Sequence, residues 1–318
     1  MLPQLLERRL IVVLGKGGVG KSTLSAALAA CAAQRGIRTL LMETDSRAPM
    51  AAAMGITRSF DPVPAPGGFS SMVLDGTRAL DEYLSLVLPG RAVLKAVFSN
   101  RLYQFFVQAA PGLRELMMLG KVYYEVTHHE RGHRRWDLII LDAPASGQAL
   151  SLLKMPRAAR ATFGASIVGQ EAENIGRLLH DRKQCAIVEV TTPETLAVSE
   201  LLETGKALAA LDLHPAAVFL NRASTIAYDA TAIDEFVRAE SRHAPKHLDQ
   251  LVAIARLELA RSAHTPRAHS RLTRATRTPV IEVPELNDRY GENLLSRLAS
   301  FFTARLNINR ARHGAAGE

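Results

Sequence analysis

Cysteine is almost missing from this sequence: Cys31 and Cys185 are the only two among 318 residues. A four-thiolate metal site within one chain is thereby excluded, and no disulfide framework is expected. Long apolar runs are lacking too. None approaches the roughly 20 residues that a bilayer-spanning helix needs. The opening "MLPQLLERRLIVVLGK" meets a strand-like segment without the apolar region of a secretory signal. Together these point to a cytoplasmic protein whose membrane contact is peripheral at most. Acidic residues also fall short: 31 Asp and Glu stand against 39 Lys and Arg, giving a net charge of +8. Such a balance suits nucleic acid, an anionic membrane surface or an acidic partner. Much of the excess is arginine in one stretch, "RLELARSAHTPRAHSRLTRATR", residues 256–277. No recognisable nucleic-acid module accompanies it, so solvated helix faces are the favoured reading and DNA the minor one.

What is present is an alternation of short apolar strands with helical segments, the pattern of an α/β protein with a mostly parallel sheet covered on both faces. Strands are expected at 9–14, 38–43, 70–75, 137–142, 185–191, 216–220 and 279–283. Residues 77–130 read as helices broken at Pro89-Gly90 and Pro111-Gly112, and 147–182 as helical again. Both belong to a helical subdomain over the same edge of the sheet, inside one domain spanning 1–305. A further helical stretch covers 229–275, and 306–318 reads as a polar, flexible tail.

The stretch "GKGGVGKSTL", residues 15–24, satisfies G-x-x-x-x-G-K-[ST] between a strand and an Ala-rich helix. Gly15, Gly17, Gly18 and Gly20 let successive N–H groups, with that of Val19, turn towards a phosphate, and the helix N-terminus adds its positive end. Lys21 then meets the β- and γ-phosphates and the Ser22 hydroxyl a Mg2+ ion, with Thr23 beside it. This is the phosphate loop of a P-loop NTPase. In open parallel sheets the partners of such a loop lie at the C-terminal ends of strands. "IRTLLMETD" delivers Glu43, Thr44 and Asp45 there, and "WDLIILDAPASG" delivers Asp142. One acid serves the metal's water shell and the other an attacking water, which makes Ser22, Asp45 and Asp142 the candidate metal set. Helix capping is the alternative role for either acid. None of this explains the second loop lysine, Lys16.

With Lys16 directly after the first glycine, the loop resembles the deviant phosphate loop of the MinD, ParA, nitrogenase iron protein and ArsA group. "LDAPASGQALSLLKMP" is similar to the second switch of the ArsA branch, in which an apolar helix ends in Leu-Pro or Met-Pro. "VTTPETLAVSELLETGKAL", "VFLNRAS" and "APGLRELMMLGKV" also resemble segments of that branch. The likeness runs over nearly the whole chain and includes bacterial relatives of the eukaryotic targeting ATPase for tail-anchored proteins. It implies Mg–ATP hydrolysis at the interface of a homodimer, or of a heterodimer with a paralogue. Lys16 would act on the partner subunit's nucleotide, and Asp45 would activate water. Asp142 would serve the metal, and Gly147 would let the second switch bend. Asn221 and Arg222, and Pro284, Glu285 and Leu286, would border the adenine. The family writes D-P-A-H where this chain has "DSRAP", which leaves the first switch's closing contacts unaccounted for. The resemblance also leads one to expect no zinc staple, since the C-x-x-C pair is missing, and no thiol-based arsenite site.

Three functions fit these features: handling or targeting of a hydrophobic protein client, an anion-pump subunit, and a positioning switch that binds membrane or DNA. The first requires the apolar faces within 77–130 to form a groove, for which core packing is the competing explanation. His128, His129 and His133 offer a metal reading, but a solvated turn explains them as well.

Overall fold

A computed structural model describes residues 2–45, 47–87, 112–130, 132–224, 226, 228–240, 247–286 and 294–314. All seven expected strands form. In chain order the strands are β1 (Leu10–Gly15), β2 (Thr39–Glu43), β3 (Val63–Pro64), β4 (Ser70–Val73), β5 (His129–Glu130), β6 (His133–Arg134), β7 (Leu138–Asp142), β8 (Cys185–Thr191), β9 (Pro215–Ala223) and β10 (Val280–Pro284). Eight of them make one sheet in the order β10-β9-β8-β1-β7-β2-β4-β3, parallel except for β3 against β4. β5 and β6 pair only with each other. The two-residue strands escaped the sequence reading because two residues carry no periodicity.

Register places the site. β1 lies between β7 and β8, with Val13 opposite Asp142 on one side and Val188 on the other. β2 pairs with the far edge of β7, Glu43 opposite Asp142. The phosphate loop therefore leaves β1 where the ends of β2 and β7 also arrive. Successive β1 residues feed opposite cores. Ile11 and Val13 pack with the helices Lys21–Ala33 and Leu294–Gly314, where Phe219 meets Phe302. Leu10, Val12 and Leu14 pack against the helices Leu113–Thr127, Ser146–Phe163 and Ile167–His180. Helix Lys21–Ala33 is buried without a break from Leu24 to Ala32, because sheet and final helix enclose it on both sides. Full burial of Leu24 and Leu28 contributes about 1.5–3 kcal/mol each.

Helices Gly76–Val87 and Leu113–Thr127 pack on each other, and the second also packs on the pair Ser146–Phe163 and Ile167–His180. Residues 88–111, with the break expected at Pro89-Gly90, lie outside the described residues. Gly112, in the left-handed region at φ 80°, opens the helix that follows it. The helix of the second switch does not stop at Met155-Pro156, as the family pattern implied. It carries Pro156 in its interior and runs on to Phe163. Helices Ala230–Glu240, Leu248–Ser262 and His264–Ala275 fill the 229–275 stretch. The last helix continues to Gly314, through most of the segment read as a tail, in line with its Ala, Arg and Leu content. Among the described residues no helix is long and apolar enough to cross a membrane.

Candidate nucleotide-binding site

Two of the loop's glycines, Gly15 and Gly20, stand where a side chain would not fit. Gly15 has φ 149°, and a Cβ there would lie 2.2 Å from the Val190 carbonyl oxygen on β8. Gly20 has φ 93°, and its Cβ would stand 2.3 Å from Asn221 Nδ2. Cβ atoms at Gly17 and Gly18 would meet nothing within 4 Å, so the loop's outer rim is open where its inner wall is closed. Asn221, buried at the end of β9, donates through Nδ2 to the Val19 carbonyl at 2.8 Å. This side chain, expected near the adenine, is thus engaged with the phosphate loop itself.

Lys21 Nζ donates to the Lys16 carbonyl at 3.1 Å. Burial pulls its pKa below the ordinary lysine value, against the attraction of Asp142. An anion at the loop would relieve that burial cost. Ser22 Oγ donates to Asp142 Oδ2 at 2.6 Å, and Ser25 Oγ reaches Oδ1 at 3.5 Å. Burial pushes the Asp142 carboxyl up to about 6, although Ser22 and Lys21 act in the opposite direction. A buried carboxylate paired with a hydroxyl is a hard-oxygen donor set of the kind Mg2+ takes, and a cation there would offset the burial that raises Asp142. Thr44 closes the gap between strands by donating from Oγ1 to the Asp142 carbonyl at 2.8 Å.

Glu43 is not part of this chemistry. It is fully buried and accepts the Met50 and Ala51 N–H groups at 3.0 Å each, which caps the short helix Pro49–Ala53. Asp45 lies at the mouth of the site, and both its oxygens are taken by Arg47. Nε approaches them at 3.0 and 3.1 Å, Nη2 donates to Oδ2 at 2.7 Å, and the Arg47 N–H to Oδ1 at 2.9 Å. Those bonds hold the Asp45 carboxyl below the usual aspartate value. Ala48 follows in the left-handed region at φ 44°. Lys16 pairs with Glu200 of helix Thr195–Ala209 at 3.4 Å, the side chains 42% and 37% exposed.

The remaining expected residues are spread around this centre. Arg222 is exposed at φ 54°. Pro284 ends β10, Glu285 pairs with Arg261 at 3.4 Å and donates its N–H to the Ala223 carbonyl, and Leu286 packs against the core. Gly147 lines a polar cleft of about 370 Å3 with Thr44, Glu115 and Gln148. His129 and His133 sit on the exposed β5–β6 hairpin. Among the described residues no three of His, Cys, Asp and Glu group to hold a metal. Arg256 pairs with Asp234 at 3.1 Å, so part of the 256–277 charge is met locally. Both cysteines are buried, in cores on opposite faces of the sheet. The contacts made by Arg47, Glu200 and Glu43 were not read from the sequence, which carries no spacing signal for them.

The family model for anion-transporting ATPases, ArsA ATPase, matches residues 8–170, about half the chain. The chain belongs to the ArsA ATPase family. The match covers the loop, Asp45 and Asp142 together. "ATPase BagA" of Mycobacterium tuberculosis is 33% identical over 231 residues, 67% of this chain and 65% of the relative. "ATPase ASNA1 homolog 1" of Paramecium tetraurelia is 31% identical over 148 residues, 46% of this chain and 43% of the relative. "ATPase GET3" of Kluyveromyces lactis is 29% identical over 157 residues, 46% and 45%. This ArsA-family chain thus spans just under two thirds of the length of the mycobacterial relative.

Proposed function

We propose that the chain hydrolyses ATP with Mg2+, works as a dimer, and uses its switch segments to handle or target a protein client. The observation that carries this reading is the closed pairing of Ser22 with buried Asp142 at 2.6 Å on the first turn of the helix that Gly20 opens. The names of the ATPase relatives support the choice of nucleotide and reaction.

Lys21 and the loop N–H groups bind and orient the phosphates, and Ser22 with Asp142 holds the metal side. Mg2+ bound there supplies charge neutralisation on the phosphate oxygens. Asp45 orients the attacking water and takes up its proton. Lys16 serves the partner subunit's phosphates. Its contact with Glu200 is long and half-exposed, so it is cheaply exchanged for a stronger anion. Asn221 keeps the loop in shape, and Arg222 with Pro284, Glu285 and Leu286 borders the base.

A cavity of about 280 Å3 between helices Gly76–Val87, Leu113–Thr127 and Ile167–His180, lined by Leu86, Leu116, Met117, Val168 and Ile175, supports the client reading. Cys31 and Cys185, on opposite faces of the sheet, cannot share a metalloid ion, which weighs against an arsenite pump. Lys21→Ala is expected to abolish tight ATP binding by calorimetry. Asp45→Asn keeps binding and suppresses phosphate release. An Asp45→Asn variant with steady turnover removes the proposed role of Asp45, and purified chain without ATP turnover removes the reading as a whole.

A further inference from the structure

Arg47 occurs where the related D-P-A-H pattern has no arginine, two residues after Asp45. Its guanidinium lies along the carboxylate, touching Oδ1 and Oδ2 through Nε and Oδ2 again through Nη2, while its backbone N–H takes Oδ1. A carboxylate has about four lone-pair sites. Three N–H donors, with Nε shared between both oxygens, engage Asp45 at 2.7–3.1 Å, so an incoming water must compete with Arg47 for the carboxylate. The Asp45 side chain is 33% exposed and that of Arg47 86% exposed, so the pair sits at the rim with solvent on the arginine side.

We propose that Arg47 is a positioning residue that competes with the attacking water for Asp45 and thereby holds down the rate of ATP hydrolysis. This rests on the reading of Asp45 as the acid that handles that water. The pair is local, two residues apart in sequence, so it moves with the first switch and does not tie that switch to the rest of the sheet. Its effect therefore falls on turnover and leaves nucleotide affinity, set by the loop and Lys21, unchanged. An exposed ion pair is weak, so the restraint is modest: removing it raises kcat about two- to fivefold. Lysine is a point charge without a fork and frees one oxygen, so it gives an intermediate gain.

The test is steady-state ATP turnover of the full chain as wild type, Arg47→Ala, Arg47→Lys, Asp45→Asn and the double variant Arg47→Ala/Asp45→Asn. Arg47→Ala is expected to raise kcat with KM for ATP unchanged, Arg47→Lys to fall between it and wild type, and the double variant to be as slow as Asp45→Asn alone. The exposed position of Arg47 makes misfolding an unsuitable explanation for any loss, and circular dichroism melts of each variant check this directly. A fall in kcat in Arg47→Ala, no change, or an equal gain in the Asp45→Asn background overturns the inference. Steady turnover by Asp45→Asn overturns instead the reading on which it rests.

Discussion

Glu189 stands in the middle of β8, 2% exposed, with its carboxylate under helix Thr195–Ala209 close to Gly205. Among the described residues its Oε1 has no hydrogen-bond partner. Burial alone pushes this carboxyl up to about 8 from an ordinary value near 4.5. The next residue, Val190, presents the carbonyl that confronts Gly15, so Glu189 stands directly behind the phosphate loop. Between about pH 4.5 and 8 the native chain keeps a proton that the unfolded chain has released. Unfolding free energy therefore falls as pH rises: the contribution is fully present below about 4.5 and lost by about 8. At about 1.4 kcal/mol per unit, the whole span is worth roughly 5 kcal/mol, of which roughly 3 kcal/mol falls between about pH 5.5 and 8.5. Glu189→Gln keeps the shape and cannot ionise. Its unpaired amide adds an offset that is the same at every pH, so the comparison is made between pH values. Urea unfolding at about pH 5.5, 7.0 and 8.5 is expected to show wild type losing about 3 kcal/mol more than Glu189→Gln across that range. Parallel pH dependence in the two proteins refutes the reasoning.

Gly20→Ala places a Cβ 2.3 Å from Asn221 Nδ2 at φ 93°, and ATP affinity by calorimetry is expected to drop about tenfold or more. Asn221→Ala strands the Val19 carbonyl at a cost of about 1–3 kcal/mol in chemical unfolding, and the two changes should not add, because they meet at one contact. Lys121 is buried between Glu82 at 2.8 Å and Glu125 at 3.0 Å, so Lys121→Met, which leaves Glu125 buried without its cation, should cost about 3–5 kcal/mol in the same assay. Lys16→Ala is expected to lower kcat on the order of a thousandfold while single-chain ATP affinity holds. Full activity of that variant as a monomer in sedimentation refutes its role in the partner's site.

The parts of this chain that were legible in its sequence are those written in local spacing. The phosphate loop is contiguous, and the buried strands carry unbroken apolar runs, so Asp45 and Asp142 could be assigned to strand ends before any geometry was known. Sheet order then brings β2 and β7 beside β1, which is why Asp142 meets Ser22 across 120 residues of sequence. What spacing could not carry is the set of contacts that restrain those groups. Glu200 reaches Lys16 from a helix that follows β8, and Asn221 reaches Val19 from the end of β9; neither partner has a pattern that names its target. Arg47 was visible as a departure from D-P-A-H, yet the sequence did not show that its guanidinium lies on Asp45. Glu43 shows the converse. It shares a strand end with Asp45, but its side chain turns to the helix Pro49–Ala53 and caps it. The chemical groups are thus inherited from a loop and two strand ends that the family shares. The restraints on Lys16 and Asp45 are made by Glu200 and Arg47, which no motif names, and the proposed limits on turnover and on action across a dimer rest on those two contacts.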